Sequence, residues 1–177
     1  MLVVQNHRTS PATIQQRYPG ARIIDVTSQG VEPWIRFSPF YPHGGIPVPF
    51  SPGWSSASVE GIWQGLKVFE RADIDTGKFT NTSMRQLKRT VRTYGRVLGH
   101  RAGVNGKELL PYLEARQQIY LPSYQWVIEH CLQEQLAELR RLSQNGTVVL
   151  LDYETNTDLN DPSKPLSHAG LIIHHLT

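Results

Sequence analysis

The sequence lacks the features that mark disulfide-stabilised, thiolate-metal and membrane proteins. It has one cysteine, Cys131, so neither an intramolecular disulfide nor a thiolate metal cluster can form. No apolar run approaches the roughly 20 residues that a membrane helix needs, and the N-terminus has no basic, apolar leader. These absences predict a cytoplasmic protein that does not enter a membrane.

The composition is that of a folded protein. Of the 177 residues, 39% are hydrophobic and 19% are charged, which is far from the composition of disordered chains. This length predicts one domain over residues 1–177. The 7 histidines lack the paired helical spacing of metal-binding motifs, so we expect no metal, and nothing in the sequence indicates a cofactor.

Acidic residues are absent between Asp75 and Glu108. That interval holds 8 of the 18 lysines and arginines, so one surface of the protein should carry a positive field. Such a field attracts anions, whether small phosphates or a nucleic-acid backbone.

Two segments have the pattern of strands. Residues 21–27 are rich in β-branched side chains and follow a turn signal at Tyr18-Pro19-Gly20, and residues 147–153 form a short apolar run. Between residues 37 and 54, prolines and glycines are too frequent for a helix. That segment is predicted to be a loop whose aromatic side chains pack against the protein.

Three segments have helical periodicity. The first begins after the N-cap candidate Ser58 and continues to Phe69, and the second covers Ser83 to Leu98. The third begins near Glu108, is interrupted near Pro122 and ends near residue 145. A short apolar segment closes the chain. The fold class is therefore α+β, mainly helical with a few short strands.

Polar side chains line one face of the first helix. Glu60, Gln64 and Lys67 are spaced i, i+4 and i+7, which fits either a solvated face or one directed at a ligand. Gly61 and Gly65 are costly in a helix and indicate close approach by another backbone or by a ligand. Because Glu60 lies in the first turn, the helix dipole favours its anion.

The second predicted helix carries a row of arginines. Arg85, Arg89, Arg92 and Arg96 are spaced i, i+4, i+7 and i+11. A solvated face is one interpretation of this row. Phosphate binding is the other, because guanidinium groups make bidentate contacts with phosphate.

Acidic residues cluster after the last predicted strand, in a loop that is either a plain turn or a carrier of functional groups. They are Asp152, Glu154, Asp158 and Asp161. No nucleophile elbow or Walker-type loop is present, which argues against classical serine hydrolases and nucleoside triphosphatases.

Residues 37–69 resemble a known family. The segment Phe37-Ser38-Pro39-Phe40-Tyr41-Pro42 is followed by Trp54, by Ser58-Val59-Glu60, and then by Trp63, Gln64, Lys67 and Phe69. In order and spacing this resembles the NADAR superfamily, the NAD- and ADP-ribose-associated proteins. Its members have a Ser-Asn-Phe-Tyr-like segment, an extended loop, and a helix that opens with Val-Glu-His before an aromatic residue, Gln, Ala, Lys and Phe.

The resemblance implies an NADAR-like fold and an N-glycoside hydrolase. Family members act on N-glycosidic bonds of ribose, in phosphorylated riboflavin-pathway intermediates or in ADP-ribosylated nucleobases. Glu60 would then be the catalytic carboxylate, and the ligand a small phosphorylated ribose derivative or an ADP-ribosylated nucleic acid. The pocket residues that the resemblance implies are Phe40, Tyr41, Trp63, Gln64 and Lys67.

The sequence departs from the family pattern at two positions. Gly61 stands where the family has histidine, and Pro39 stands where it has asparagine. A late Trp-Gly segment of the family has no clear match, and Asp152 and Asp158 lie near its expected place as secondary catalytic candidates.

Three hypotheses follow. The first is an N-glycoside hydrolase in which Glu60 is catalytic and Arg89, Arg92 or Arg96 holds phosphate. The second is a module that binds ADP-ribose or a related nucleotide without turnover. The third is a nucleic-acid-binding protein that uses a helix at residues 85–101.

Overall fold

The computed structural model describes all residues from 1 to 177 and has the predicted α+β class. The chain forms two compact units. The first unit contains residues 1–38 and 132–177, and the second unit contains residues 39–131. The prediction of a single domain stays a prediction.

The helices and strands alternate irregularly along the chain. In chain order they are β1 (Leu2–Asn6), α1 (Pro11–Arg17), β2 (Arg22–Asp25), β3 (Ile46–Pro47), β4 (Ser55–Ser56), α2 (Val59–Gly65), β5 (Lys67–Phe69), α3 (Val91–Tyr94), β6 (Val97–Arg101), β7 (Leu109–Leu110), α4 (Tyr112–Ala115), α5 (Leu121–Cys131), α6 (Gln133–Gln144), β8 (Val148–Asp152) and α7 (His168–Leu176). Short 3-10 helices cover Trp34–Phe37 and Thr76–Thr80, and a π-helical segment covers Arg116–Tyr120.

The first unit is built on a parallel sheet in the order β1-β8-β2. The central strand β8 is buried along most of its length, and it pairs Val149 with Val3 on one side and with Ile23 on the other. Parallel strands that are covered on both faces read as continuous apolar runs. The strands predicted at residues 21–27 and 147–153 are confirmed as β2 and β8.

The second unit combines a β3-β4 hairpin with an antiparallel sheet in the order β5-β6-β7. In that sheet Lys67 pairs with His100, and His100 in turn pairs with Leu110. Helix α2 packs beside the 3-10 helix Thr76–Thr80 and the π-helical segment. Its end and the beginning of β5 are separated by a single residue, so functional side chains of a helix and a strand follow each other closely.

The first and third predicted helices are present in the structure, but their first and last residues differ from the prediction. Helix α2 ends at Gly65, and Lys67–Phe69 is a strand. The third region begins at Tyr112 and contains a break at Leu132, while Pro122 lies inside the first turn of α5. The π-helical segment Arg116–Tyr120 runs directly into α5, so Pro122 lies inside a continuous helical region, where its missing N–H removes one i→i−4 hydrogen bond next to the π-helical turn.

The second predicted helix, Ser83 to Leu98, is wrong. Residues 81–90 have no regular structure, α3 has only four residues, and residues 97–101 form strand β6. Met84 and Gln86 have φ angles of 59° and 57°, which a right-handed helix excludes. The row of four arginines on one helical face therefore does not exist.

No helix combines the length and apolar character that crossing a lipid bilayer requires.

Candidate functional site

Helix α2 begins at a well-formed N-cap. The Ser58 hydroxyl accepts a hydrogen bond from the Gly61 backbone N–H at 3.0 Å, as expected of a serine N-cap. The Glu60 backbone N–H donates to the Pro39 carbonyl at 2.8 Å. These contacts fix the first turn of α2 against the start of the proline-rich loop, and Glu60 itself is only 7% exposed.

The two glycines of α2 are explained by close packing against the protein. A Cβ at Gly61 would lie 2.7 Å from the Lys78 carbonyl oxygen, and one at Gly65 would collide with the Phe79 ring. Both positions therefore require glycine. The close approach that the sequence indicated is made by a neighbouring backbone and ring.

Gln64 holds the Glu60 carboxyl group. Its side-chain N–H group, Nε2, donates to Oε1 of Glu60 at 2.8 Å, and its own Oε1 accepts from the Arg89 backbone N–H at 3.0 Å. Because the Arg89 donor needs an oxygen opposite it, the amide has one orientation. Gln64 is 5% exposed, so this arrangement is shielded from water.

Two lysines supply positive charge beside the carboxyl group. Burial raises the pKa of Glu60 above its ordinary value of 4.5, against the Gln64 hydrogen bond and the charges of Lys67 and Lys88. Burial also lowers the pKa of Lys67 below 10.5, against the attraction of Glu60 and together with repulsion from Arg89 and Lys88. Both shifts move the Glu60–Lys67 pair toward its uncharged form.

Aromatic rings surround Trp63, which follows Glu60 by three residues. The Trp63 ring stacks on His100 with centroids 3.7 Å apart, and it packs edge-to-face with Tyr112 and Tyr120, whose ring centroids lie 6.0 and 5.8 Å from its own. The Lys67 ammonium lies 5.8 Å from the Trp63 ring centroid. This aromatic group is continuous with the charged group through Lys67.

The two predicted aromatic residues of the loop lie in the same unit. The Lys88 ammonium lies 5.7 Å from the centroid of the Phe40 ring, so Phe40 is joined to the charges beside Glu60. The Tyr41 ring packs against His43 at 4.8 Å. Phe40 is therefore connected with Glu60 through Lys88, which contacts the Phe40 ring and whose charge acts on the Glu60 carboxyl group.

The predicted phosphate-binding arginines are dispersed. The Arg89 guanidinium is buried and donates to the backbone carbonyls of Gln64, Lys67 and Asp73. Arg92 is exposed on α3, and the exposed Arg96 side chain pairs with Glu70 at 3.3 Å. The prediction that these arginines form one basic ridge is wrong, because the segment is not a helix. The Arg89 side chain turns inward to the carbonyls of Gln64 near the end of α2, of Lys67 at the start of β5, and of Asp73.

The secondary candidate Asp152 belongs to the first unit, at the carboxyl end of β8. Its Oδ2 accepts from the Ser167 hydroxyl, the His168 ring and the Ala169 backbone N–H at 2.8, 3.0 and 3.2 Å. Burial would raise the pKa of Asp152, but the His168 charge and these hydrogen bonds lower it to about 2. The other His168 nitrogen contacts the Val26 carbonyl at 2.8 Å. Asp152 thus accepts one backbone N–H of the first turn of α7, whose N-cap is Ser167, and pairs with His168 in a buried position.

Asp158 is exposed in the loop after β8 and accepts the Asn160 backbone N–H at 2.9 Å. This contact is the turn-forming role of aspartate. The structure does not bring Asp152 or Asp158 into the unit that carries Glu60.

Sequence reasoning missed two members of the site, His100 and Lys88. Both lie in or beside the segment that was predicted to be a helix, and both reach the site through tertiary contacts. Gly95 and Gly99 were the available signal, because two glycines so close together indicate an interrupted segment better than a long helix. In the structure they have φ angles of 82° and 151°, which glycine adopts readily.

No group of three or more histidine, cysteine, aspartate or glutamate side chains is arranged to hold a metal ion.

Residues 6–172 match the model of a family described as "Family of unknown function (DUF6939)". A search of curated proteins finds no match.

Proposed function

We propose, for a chain that belongs to the DUF6939 family of unknown function, that it is an N-glycoside hydrolase acting on a phosphorylated ribose derivative. The substrate would be an ADP-ribosylated nucleobase, alone or in a nucleic acid, or a riboflavin-pathway intermediate. The observation that carries the proposal is the buried carboxyl group of Glu60, held by Gln64 beside Lys67 and Lys88.

The chemistry needs a fixed carboxylate. When the ribose C–N bond breaks, its electron pair leaves with the base nitrogen and positive charge develops at the anomeric carbon. A carboxylate stabilises that charge and takes a proton from the water whose oxygen bonds to the same carbon. The raised pKa of Glu60 supports the second role, because a general base works best when its pKa approaches the working pH.

The lysines are suited to the phosphate. Lys88 is exposed and lies beside the Phe40 ring, while Lys67 is partly buried next to Glu60. A bound phosphate would stabilise the charged form of Lys67 and would extend from the carboxyl group toward the protein surface. We therefore assign to Lys67 and Lys88 the role that the sequence suggested for the arginines.

The test is hydrolysis of ADP-ribosylated guanosine and of aminopyrimidine ribose phosphates by the wild type and by Glu60→Gln. We expect the substitution to lower kcat about 10²- to 10⁴-fold, since an amide cannot accept the proton. Glu114→Gln is the matched control, because Glu114 is an exposed glutamate in the same unit, and it should retain full activity. Undiminished turnover by a folded Glu60→Gln enzyme would remove Glu60 from the mechanism.

A second candidate function is binding of ADP-ribose or a related nucleotide without turnover. Gly61 favours it, because the histidine that NADAR proteins have after the glutamate has no room there: a Cβ would lie 2.7 Å from the Lys78 carbonyl oxygen. Saturable binding in calorimetry, with no hydrolysis of either substrate class, would select this function. The hypothesis of a nucleic-acid-binding helix at residues 85–101 loses its basis, since that helix is absent.

A further inference from the structure

His100 is a buried side chain with no hydrogen-bond partner. It is 1% exposed, and neither Nδ1 nor Nε2 is within hydrogen-bond geometry of any protein atom. The Trp63 backbone is near enough to favour the protonated ring slightly, but burial and the charge of Lys67 outweigh it and lower the pKa of His100 to about 3. The ring is therefore neutral at physiological pH, with one donor and one acceptor unused.

An imidazole is a poor choice for a purely structural role at this position. Buried polar groups are almost always paired, because an unpaired one loses its hydrogen bonds to water and gains none in return. A phenylalanine ring could make the same stack on Trp63 without that loss. What the imidazole adds is its two nitrogens, which points to a partner that joins them when the site is occupied.

The position of His100 connects it with the proposed site. His100 on β6 is the cross-strand partner of Lys67 on β5, and paired residues of an antiparallel sheet place their side chains on the same face. Its ring stacks on Trp63, one turn along α2 from Glu60. His100 thus contacts Trp63 and pairs across the sheet with Lys67, whose charge acts on the Glu60 carboxyl group.

We infer that His100 is a ligand-contacting residue of this site, in which its ring nitrogens hydrogen-bond a ribose hydroxyl of the substrate. This inference rests on the proposed function. A neutral imidazole suits a hydroxyl, which both donates and accepts, whereas the phosphate is better matched by Lys67 and Lys88. The partly exposed Trp63 ring stacks on His100, and the exposed Tyr112 ring packs against Trp63, so the inferred contact requires displacement of the Trp63 ring.

The test compares wild type with His100→Phe, using ribose 5-phosphate and inorganic phosphate as probes in calorimetry. We expect at least a tenfold weaker affinity for ribose 5-phosphate, no change for inorganic phosphate, and a higher Tm of the free protein because two unpaired nitrogens are removed. His130→Phe is the control. His130 also stacks on a tryptophan, Trp126, at 4.5 Å, but it is exposed on α5, and both affinities should stay as in the wild type.

The outcomes separate the inference from the proposed function. If the wild type binds ribose 5-phosphate and His100→Phe binds it equally well, or loses phosphate affinity by the same factor, the hydroxyl contact is wrong. If the wild type binds neither ribose 5-phosphate nor ADP-ribose, the proposed function itself fails, and the inference with it. Should His100→Phe not fold, the ¹⁵N shifts of the wild-type His100 ring decide, because a titration with ribose 5-phosphate that leaves them unchanged contradicts the contact.

Discussion

Gln64 lies between two partners that engage both ends of its side-chain amide. The nitrogen donates to Glu60, and the oxygen accepts from the Arg89 backbone. Of the groups that act on Glu60, the Gln64 hydrogen bond is the largest one that opposes the effect of burial on its pKa. The orientation and the protonation of the carboxyl group therefore both depend on Gln64.

Gln64→Met should raise the pKa of Glu60 further, because methionine has similar length but no donor for the carboxylate. It should also lower the free energy of unfolding by about 1–3 kcal/mol, since the Arg89 N–H is left buried without an acceptor. A ¹³C NMR titration of the Glu60 carboxyl carbon measures the first effect, and urea unfolding measures the second.

Gln125→Met is the control for this prediction. Gln125 donates to Glu129 at 2.6 Å with the same four-residue spacing, but on the exposed surface of α5. Loss of this hydrogen bond should change the free energy of unfolding by no more than about 0.5 kcal/mol. If Gln64→Met leaves the Glu60 titration where it was, the hydrogen bond does not hold the carboxyl group.

Single residues of the site were predictable to the extent that they share one helix. Glu60 and Gln64 could be placed together from their spacing alone, and the structure joins them by a hydrogen bond. Lys88 and His100 come from segments 28 and 40 residues beyond Glu60 in the chain, so no local pattern connects them with it. Helical periodicity predicted an exposed Arg89, but its side chain is buried and donates hydrogen bonds to three backbone carbonyls.

At the scale of elements, β2, β8 and α2 were predictable because local preference and tertiary packing agree there. The segment 83–98 is the opposite case. Its apolar residues recur at helical spacing, yet Leu87 is buried whereas Val91 and Leu98 are 61% and 46% exposed. The apolar residues of this segment thus have helical spacing in the sequence but do not share one buried face in the structure. Tertiary contacts overrode the helix propensity of the segment.

Gln86→Gly should stabilise the protein by about 0.5–1 kcal/mol, because glycine adopts the φ of 57° found at this position without the strain of a side chain. Thermal unfolding measures the effect as a raised Tm. In a helix over residues 83–98 the same substitution would cost about 1 kcal/mol. A lowered Tm would therefore contradict the irregular conformation of residues 81–90.

Gln118→Gly provides the comparison within a helical segment. Gln118 is exposed in the π-helical turn Arg116–Tyr120, where glycine should lower stability by about 1 kcal/mol. The opposite signs of the two glutamine-to-glycine substitutions test the local backbone independently of side-chain contacts.

At the scale of the whole molecule, two buried histidines should make stability depend on pH with opposite signs. His100, in the second unit, has a pKa lowered to about 3 by burial and by Lys67. His168, in the first unit, has a raised pKa, because its attraction to Asp152 and its hydrogen bonds outweigh the effect of burial. Each shift is a difference in proton binding between folded and unfolded chains.

His100 should destabilise the fold in acid. Below pH 6.5 the His100 ring is protonated in the unfolded chain, whereas in the folded chain it is protonated only near pH 3. The free energy of unfolding therefore falls as pH decreases across this interval. At about 1.4 kcal/mol for each pKa unit, the effect is on the order of 5 kcal/mol. Urea unfolding between pH 3 and 7 should show His100→Phe gaining stability over the wild type as pH falls. A constant difference would mean that the ring protonates in the folded state.

His168 should act at the other side of pH 6.5. Its stabilising effect is complete below the unfolded pKa of 6.5, because both states are then protonated and only the folded one holds the ion pair with Asp152. As pH rises through the higher folded pKa, the folded chain loses that proton and the advantage disappears. The stability of the wild type relative to His168→Gln, measured by urea unfolding from pH 6 to 9, should therefore decline with pH. A flat difference for His168→Gln would place a neutral histidine beside Asp152.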